Sequence, residues 1–162
     1  MEHNIVRCVA VNADDTSYAA VYAKWMCGEI KHYSEKSRSG EYEWVTFPFL
    51  DHHNDYIQLL VKSYGGNGYM VSDNGFFYCD LMESGVDVES GENNDLLREI
   101  ITGFNLGISE DLAIFDWADS EADLPETINR VLQAGIMIST MYTKIHGREP
   151  LGDDEDETEE HG

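Results

Sequence analysis

Two short polar runs hold the side chains with the widest chemical reach. Asp51-His52-His53-Asn54-Asp55 packs two carboxylates and two imidazoles into one segment, and Asp73-Asn74-Gly75 follows downstream. Carboxylates and imidazoles together can ligate a divalent ion or serve as acid and base. Asp51, His53, Asp55 and Asp73 are the residues such a site would use. The same residue types also build turns, because Asx side chains cap backbone amides and tolerate left-handed backbone. On an extended backbone the adjacent His52 and His53 would point to opposite sides, and no HxxxH or HExxH spacing occurs. A nuclease-like pairing of Asp55 with Lys62 spans an odd separation, so on a regular strand the two face opposite ways. Tyr64-Gly65-Gly66-Asn67-Gly68-Tyr69 lacks the lysine and following helix of a phosphate loop. With no Ser/His/Asp or Cys/His set in view, no catalytic residue is assigned.

A hairpin must position these runs. Tyr56 to Lys62 and Tyr69 to Ser72 are apolar, and Ser63-Tyr64-Gly65-Gly66-Asn67-Gly68 between them supplies turn residues. Antiparallel pairing brings both polar runs to one end, so Asp55 and Asp73 are expected to be close. Upstream, Tyr18, Val21, Tyr22, Trp25, Met26, Ile30 and Tyr33 recur at helical spacing over roughly Thr16 to Ser34. That aromatic stripe is expected to face the core. Glu35 to Gly40 reads as a polar loop, and Glu41 to Phe49 as a strand ended by Pro48. Phe76 to Ser84 reads as a strand start closing into a helical turn, with Gly85 as its cap. Helices over Ser90 to Asn105 and Leu124 to Ile145, with a strand over Leu112 to Trp117 between them, complete the order. Gly135, in the last helix, is expected to mark a close helix–sheet contact. The fold class is α+β: a single domain over residues 1–151, with a small antiparallel or mixed sheet of about four strands and three main helices.

The strings PFLDHHNDYIQLLVK, YMVSDNG and DLMESGVDV, in this order and spacing, resemble domain of unknown function family 1828. The family comprises small uncharacterised bacterial and phage proteins. The resemblance covers roughly Tyr22 to Tyr142 and is strongest between Pro48 and Val88. It departs at His52, where an arginine is common, and at Asn74, where a second aspartate is common. It implies an α+β fold and frequent residence in phages and mobile elements, and it brings no activity with it.

Charge sets the functional expectation. The chain has 162 residues and a formal net charge of −22. Residues 152–162 form an acidic tail with no side chain suited to a core, and disorder is expected there. Asp153 to Glu160 supplies seven acids, and without them 25 acidic residues still face 10 basic ones, a net of −15. From Asp73 to Glu126 there are fifteen acids and one base, Arg98. Such a field repels nucleic acid and anionic membrane and favours basic partners. Cys8, Cys27 and Cys79 are odd in number and form no CxxC pair, which suggests a reduced, cytoplasmic chain. No stretch approaches the ~18 apolar residues of a membrane span, and no signal-peptide pattern follows Met1.

The leading expectation is therefore a phage- or mobile-element-encoded acidic interaction protein. It would mimic nucleic acid and inhibit a basic, nucleic-acid-binding host protein of a CRISPR or restriction system, with no cofactor and no direct nucleic-acid or membrane binding. Asp73, Glu83, Asp87, Glu92, Asp95, Glu99, Asp119 and Asp123 would form the surface. The alternative is a metal-dependent enzyme or ligand-sensing domain holding a divalent metal at Asp51, His53, Asp55 and Asp73. The tail gives a first test. Truncation after Leu151 should leave the melting temperature unchanged in calorimetry, because residues 152–162 have nothing to bury.

Overall fold

The computed structural model describes residues 17–37 and 40–146, with side chains for 17–32 and 41–142. The acidic tail, the first sixteen residues and Cys8 lie outside the described residues. Four helices, α1 (Tyr18–Glu29), α2 (Phe76–Glu83), α3 (Gly91–Gly103) and α4 (Leu124–His146), accompany six strands. The strands are β1 (Lys31–Ser37), β2 (Gly40–Leu50), β3 (Tyr56–Ser63), β4 (Tyr69–Ser72), β5 (Gly107–Ile108) and β6 (Ile114–Ala118). They form one sheet in the order β1-β2-β3-β4-β6-β5, and every pairing is antiparallel. The class is α+β as expected, with more strands and helices than the sequence reading counted.

The period-2 pattern of β3 decides which face is covered. Ile57 and Leu59 are fully buried, while Gln58 between them is exposed. With Val45, Phe47, Val71 and Ile114 they form the sheet side of the core. Helix α4 lies over β3, β4 and β6 and also meets α2 and α3. Val131, Leu132, Ala134, Ile138 and Met141 are its buried apolar residues, and Leu97, Ile100 and Ile101 are those of α3. At roughly 1.5–3 kcal/mol per fully buried large apolar side chain, this shared core dominates the favourable side of folding. Arg130 of α4 bonds Asp116 of β6 through Nε and Nη2, at 2.8 and 2.6 Å, which ties the helix to the sheet at its rim.

Several sequence expectations are corrected. Helix α1 stops at Glu29, because Ile30 turns extended (φ −68°, ψ 122°) and the chain enters β1. Its aromatic stripe does not pack: Tyr18 is 95% exposed, Tyr22 and Trp25 are also exposed, and Ala20 is the buried residue of the helix. The expected polar loop is largely strand, since Glu35, Lys36 and Ser37 pair with Tyr42, Glu41 and Gly40 in the hairpin β1–β2. Strand β2 passes through Pro48, and a register shift between Thr46 and Leu50 accommodates the missing N–H. Phe76 to Glu83 is helical throughout. Cys27 is exposed and disulfide-bonded, against the expectation of reduced thiols, whereas Cys79 is a free thiol.

Gly135 does mark a close contact, but with a helix rather than the sheet. A Cβ there would lie 2.1 Å from Cζ of Phe77 in α2, and Phe77 is 1% exposed and has no room to yield. Gly135→Ala should therefore destabilise by about 1–3 kcal/mol through overpacking, despite the ~1 kcal/mol that alanine gains over glycine in a helix. Gly28→Ala in α1, where nothing lies within 4 Å, should show only the gain. Denaturant titration of the two variants should give opposite signs.

Candidate functional site

Asp73 lies in the turn between β4 and α2. Its Oδ1 accepts from the Gly75 N–H at 3.0 Å and the Ile114 N–H at 2.8 Å, and its Oδ2 accepts from the Phe77 N–H at 2.9 Å. Asn74 and Gly75 adopt positive φ (55° and 82°), which Asn and Gly accept at low cost. Asp73-Asn74-Gly75 is thus the expected turn, with the carboxylate capping α2 and pinning β6. Burial pushes the Asp73 carboxyl from 3.8 to about 6, against the opposing pull of its backbone donors. At 1% exposure it is no part of an interaction surface.

The run Asp51-His52-His53-Asn54-Asp55 links β2 to β3 as a tight loop. Asp51 Oδ1 accepts from the N–H groups of His53 (2.8 Å) and Asp55 (2.9 Å). The Asp51 N–H donates to the Asp55 carbonyl, and the Asn54 N–H donates to the Asp51 carbonyl. Asn54 supplies the positive φ, 66°. Because the backbone turns here rather than extending, His52 and His53 project together, with ring centroids 3.9 Å apart. The extended-strand argument that set them on opposite sides does not apply.

The loop docks against the helices. The His52 N–H donates to Ser139 Oγ of α4 at 2.9 Å, and its ring lies on Tyr142 with centroids 4.4 Å apart. His52 Nδ1 lies 3.3 Å from Asp80 Oδ2 and 3.1 Å from Ser139 Oγ. His53 Nε2 lies 3.2 Å from Asp80 Oδ1. Ser84 Oγ is 3.3 Å from Nε2 of each imidazole. Burial pushes the Asp80 carboxyl upward; the two imidazoles pull it down, and the nearby Asp51 and Glu83 add to the rise.

Asp55 and Asp73 do not meet. Ser72 pairs with Leu60, which sets Asp73 level with Leu59, four positions short of Asp55 and so about 13 Å along the strand. The expectation assumed strands of similar length, but β3 has eight residues and β4 four. Among the described residues, the His/Cys/Asp/Glu group whose ligand atoms close on one another is His52, His53 and Asp80, all within 4.8 Å. Only His53 was in the sequence-derived set. Asp80 was missed because Phe76 to Ser84 was read as starting in a strand. As a helix it places Asp80 and Ser84 on one face at i, i+4, as α4 places Ser139 and Tyr142 at i, i+3.

Of the expected acidic surface, Glu83, Asp87, Glu92, Asp95, Glu99, Asp119 and Asp123 are exposed. Glu83 is at the end of α2 and Asp87 in the loop before α3, where hydrogen bonds from Ser90 and Glu89 hold its carboxyl below the usual range. Glu92, Asp95 and Glu99 lie on α3. Asp119 and Asp123 follow β6, at the opposite end of that strand from Glu110 and Asp111, so the charge spreads beyond one face.

The architecture is an antiparallel sheet with a helical layer on one face and a histidine–carboxylate cluster where a strand loop meets two helices. Residues 47–138, more than half the chain, match the family described as Domain of unknown function DUF1828, and the chain belongs to that family. No curated protein and no solved structure matches it. Among the described residues no helix is long and apolar enough to cross a membrane.

The Asp73 geometry gives a signed pH prediction. The folded state holds this proton up to about pH 6 and the unfolded chain only to about 4. The folded state therefore binds more protons in that window, and stability falls as pH rises from about 4 to 6 before levelling off. The full swing is on the order of 3 kcal/mol. Asp73→Asn should remove this contribution. It should also cost about 1–3 kcal/mol at pH 7, because an amide NH2 facing a backbone N–H leaves buried donors unpaired. The difference between the two unfolding free energies as a function of pH isolates the effect from the other carboxylates.

Proposed function

We propose that the protein is an acidic interaction protein that occupies a basic, nucleic-acid-binding surface on another protein. The stripe on α3 carries the reading. Glu92, Asp95 and Glu99 follow i, i+3, i+7 spacing on the face opposite Leu97, Ile100 and Ile101, and all three are exposed. They place three charges in about 10 Å of helix axis, against one phosphate per ~3.4 Å along a nucleic-acid strand. The spacing is coarser than nucleic acid but rigid. Arg98, the one base between Asp73 and Glu126, donates through Nε to Asn94 Oδ1. Elsewhere Arg130 engages Asp116 and Glu126, and among the described residues no cation pairs with the α3 stripe. The phage association of the resemblance makes a CRISPR or restriction protein of the host the partner of choice. Inhibition by nucleic-acid mimicry is the mode.

Affinity capture from host lysate tests this. The captured partners should be basic nucleic-acid-binding proteins, displaced by duplex DNA and released steeply by salt. Capture should survive removal of residues 152–162. It should fall gradually as Glu92, Asp95 and Glu99 are neutralised together, each alone costing less than about 1 kcal/mol. Capture that ignores salt, or that needs the tail alone, defeats the proposal, as does direct binding of DNA by this chain.

A further inference from the structure

We infer that His52, His53 and Asp80 form a binding site for a divalent transition-metal ion of the zinc type, with Asp51 as acidic support behind it. This is separate from the acidic stripe on α3 and stands on different residues. The first support is distance. In a tetrahedral zinc shell with ligand bonds of about 2.0–2.1 Å, neighbouring ligand atoms lie about 3.3–3.4 Å apart. His52 Nδ1 to Asp80 Oδ2 is 3.3 Å and His53 Nε2 to Asp80 Oδ1 is 3.2 Å. The two contacts reach different oxygens of Asp80, and one ligand atom from each of the three residues falls within 4.8 Å of the others, so small side-chain shifts would bring all three onto one ion.

The second support is an unsatisfied carboxylate. Asp51 is 7% exposed, its Oδ1 is engaged by two backbone donors, and its buried Oδ2 has no hydrogen-bond partner. Its charge is close enough to act on Asp80. A bare buried carboxylate oxygen is costly, and a cation held by Asp80 and the two imidazoles would offset that cost.

The third support is rigidity of the ligands. The His52 side chain is 3% exposed and is held by Ser139 and by stacking on Tyr142. When its Nδ1 ligates, its Nε2 faces Ser84 Oγ, the kind of outer partner that fixes ring orientation at metal sites. Two imidazole nitrogens and a carboxylate suit zinc and its neighbours rather than calcium or magnesium, which prefer all-oxygen shells. The His53 side chain is 47% exposed, which leaves the site open to solvent on one side, where water would complete the shell.

The test uses the full chain, stripped with a chelator and titrated with Zn2+ alone. Calorimetric titration should give one saturable equivalent, and the melting temperature should rise with Zn2+ concentration. An excess of Mg2+ or Ca2+ should not displace it. Co2+ in place of Zn2+ should give the intense visible absorption of a four-coordinate site. His53→Gln, at an exposed position that should not disturb folding, should weaken Zn2+ by more than about tenfold and abolish the Co2+ band. Asp80→Asn should do the same, and truncation after Leu151 should change neither. The inference is overturned if Zn2+ binding is weak and non-saturable, as expected of scattered surface carboxylates. It is equally overturned if binding is unaffected by both substitutions, is lost with the tail, or is matched by Ca2+.

Discussion

The carboxylate of Asp73 is the interaction on which the rest of the structure depends. It is nearly inaccessible to water and bonds the first turn of α2 and the N–H of Ile114 in β6. Those donors belong to two elements that neighbour β4 in different ways, one by chain continuity and one by sheet pairing. One side chain therefore sets both where α2 begins and where β6 lies. From there α2 delivers Asp80 and Ser84 to the loop between β2 and β3, and β6 leads to α4, which delivers Ser139 and Tyr142 to the same loop. Desolvation opposes ionisation at this position and aligned backbone donors favour it, so the group that organises the fold also titrates within it.

The parts of the fold legible in the sequence were those with an apolar period. β3 and β4, with their glycine-rich turn, showed in the alternation of Ile57, Leu59 and Val71. α3 and α4 showed in the three- and four-residue recurrence of Leu97, Ile100, Ile101, Val131, Leu132 and Ile138. Of the first hairpin, β2 was legible as a strand over Glu41 to Phe49, but β1 was not. Lys-His-Tyr-Ser-Glu-Lys-Ser in β1 carries no apolar alternation to read, and its register with β2 at the sheet edge is what makes it a strand. The aromatic run of α1 misled in the opposite way, since a helical period predicts a face but not what covers it. α2 was obscured because Phe76-Phe77-Tyr78 has high strand propensity, and the capping carboxylate that overrides it lies three residues upstream.

The candidate site was half legible for the same reasons. The loop could be picked out by residue type, and its turn character followed from Asp51 and Asn54. Its partners came from α2 and α4, one dependent on a helix boundary and the other more than eighty residues away. No local pattern links His52 to Ser139. The charge, by contrast, was fully legible in amount and only partly in placement. Asp73 is lost to the interior, Asp80 is drawn into the cluster, and Asp116 and Glu126 are matched by Arg130, while among the described residues no cation pairs with the α3 stripe.

The contact between Gly135 and Phe77 has a mechanical side. Gly135 and Ser139 are four residues, about one turn, apart on the same face of α4, and Phe77 and Asp80 are three residues apart along α2. The contact of Gly135 with Phe77 thus lies about one turn from the point where each helix holds a histidine. A hydrogen in place of a methyl acts as the gauge block of a caliper whose jaws are Ser139 and Asp80. Widening the helix spacing at that point would open the jaws on the loop, so the imidazole contacts are machined in part by a residue that touches neither ring.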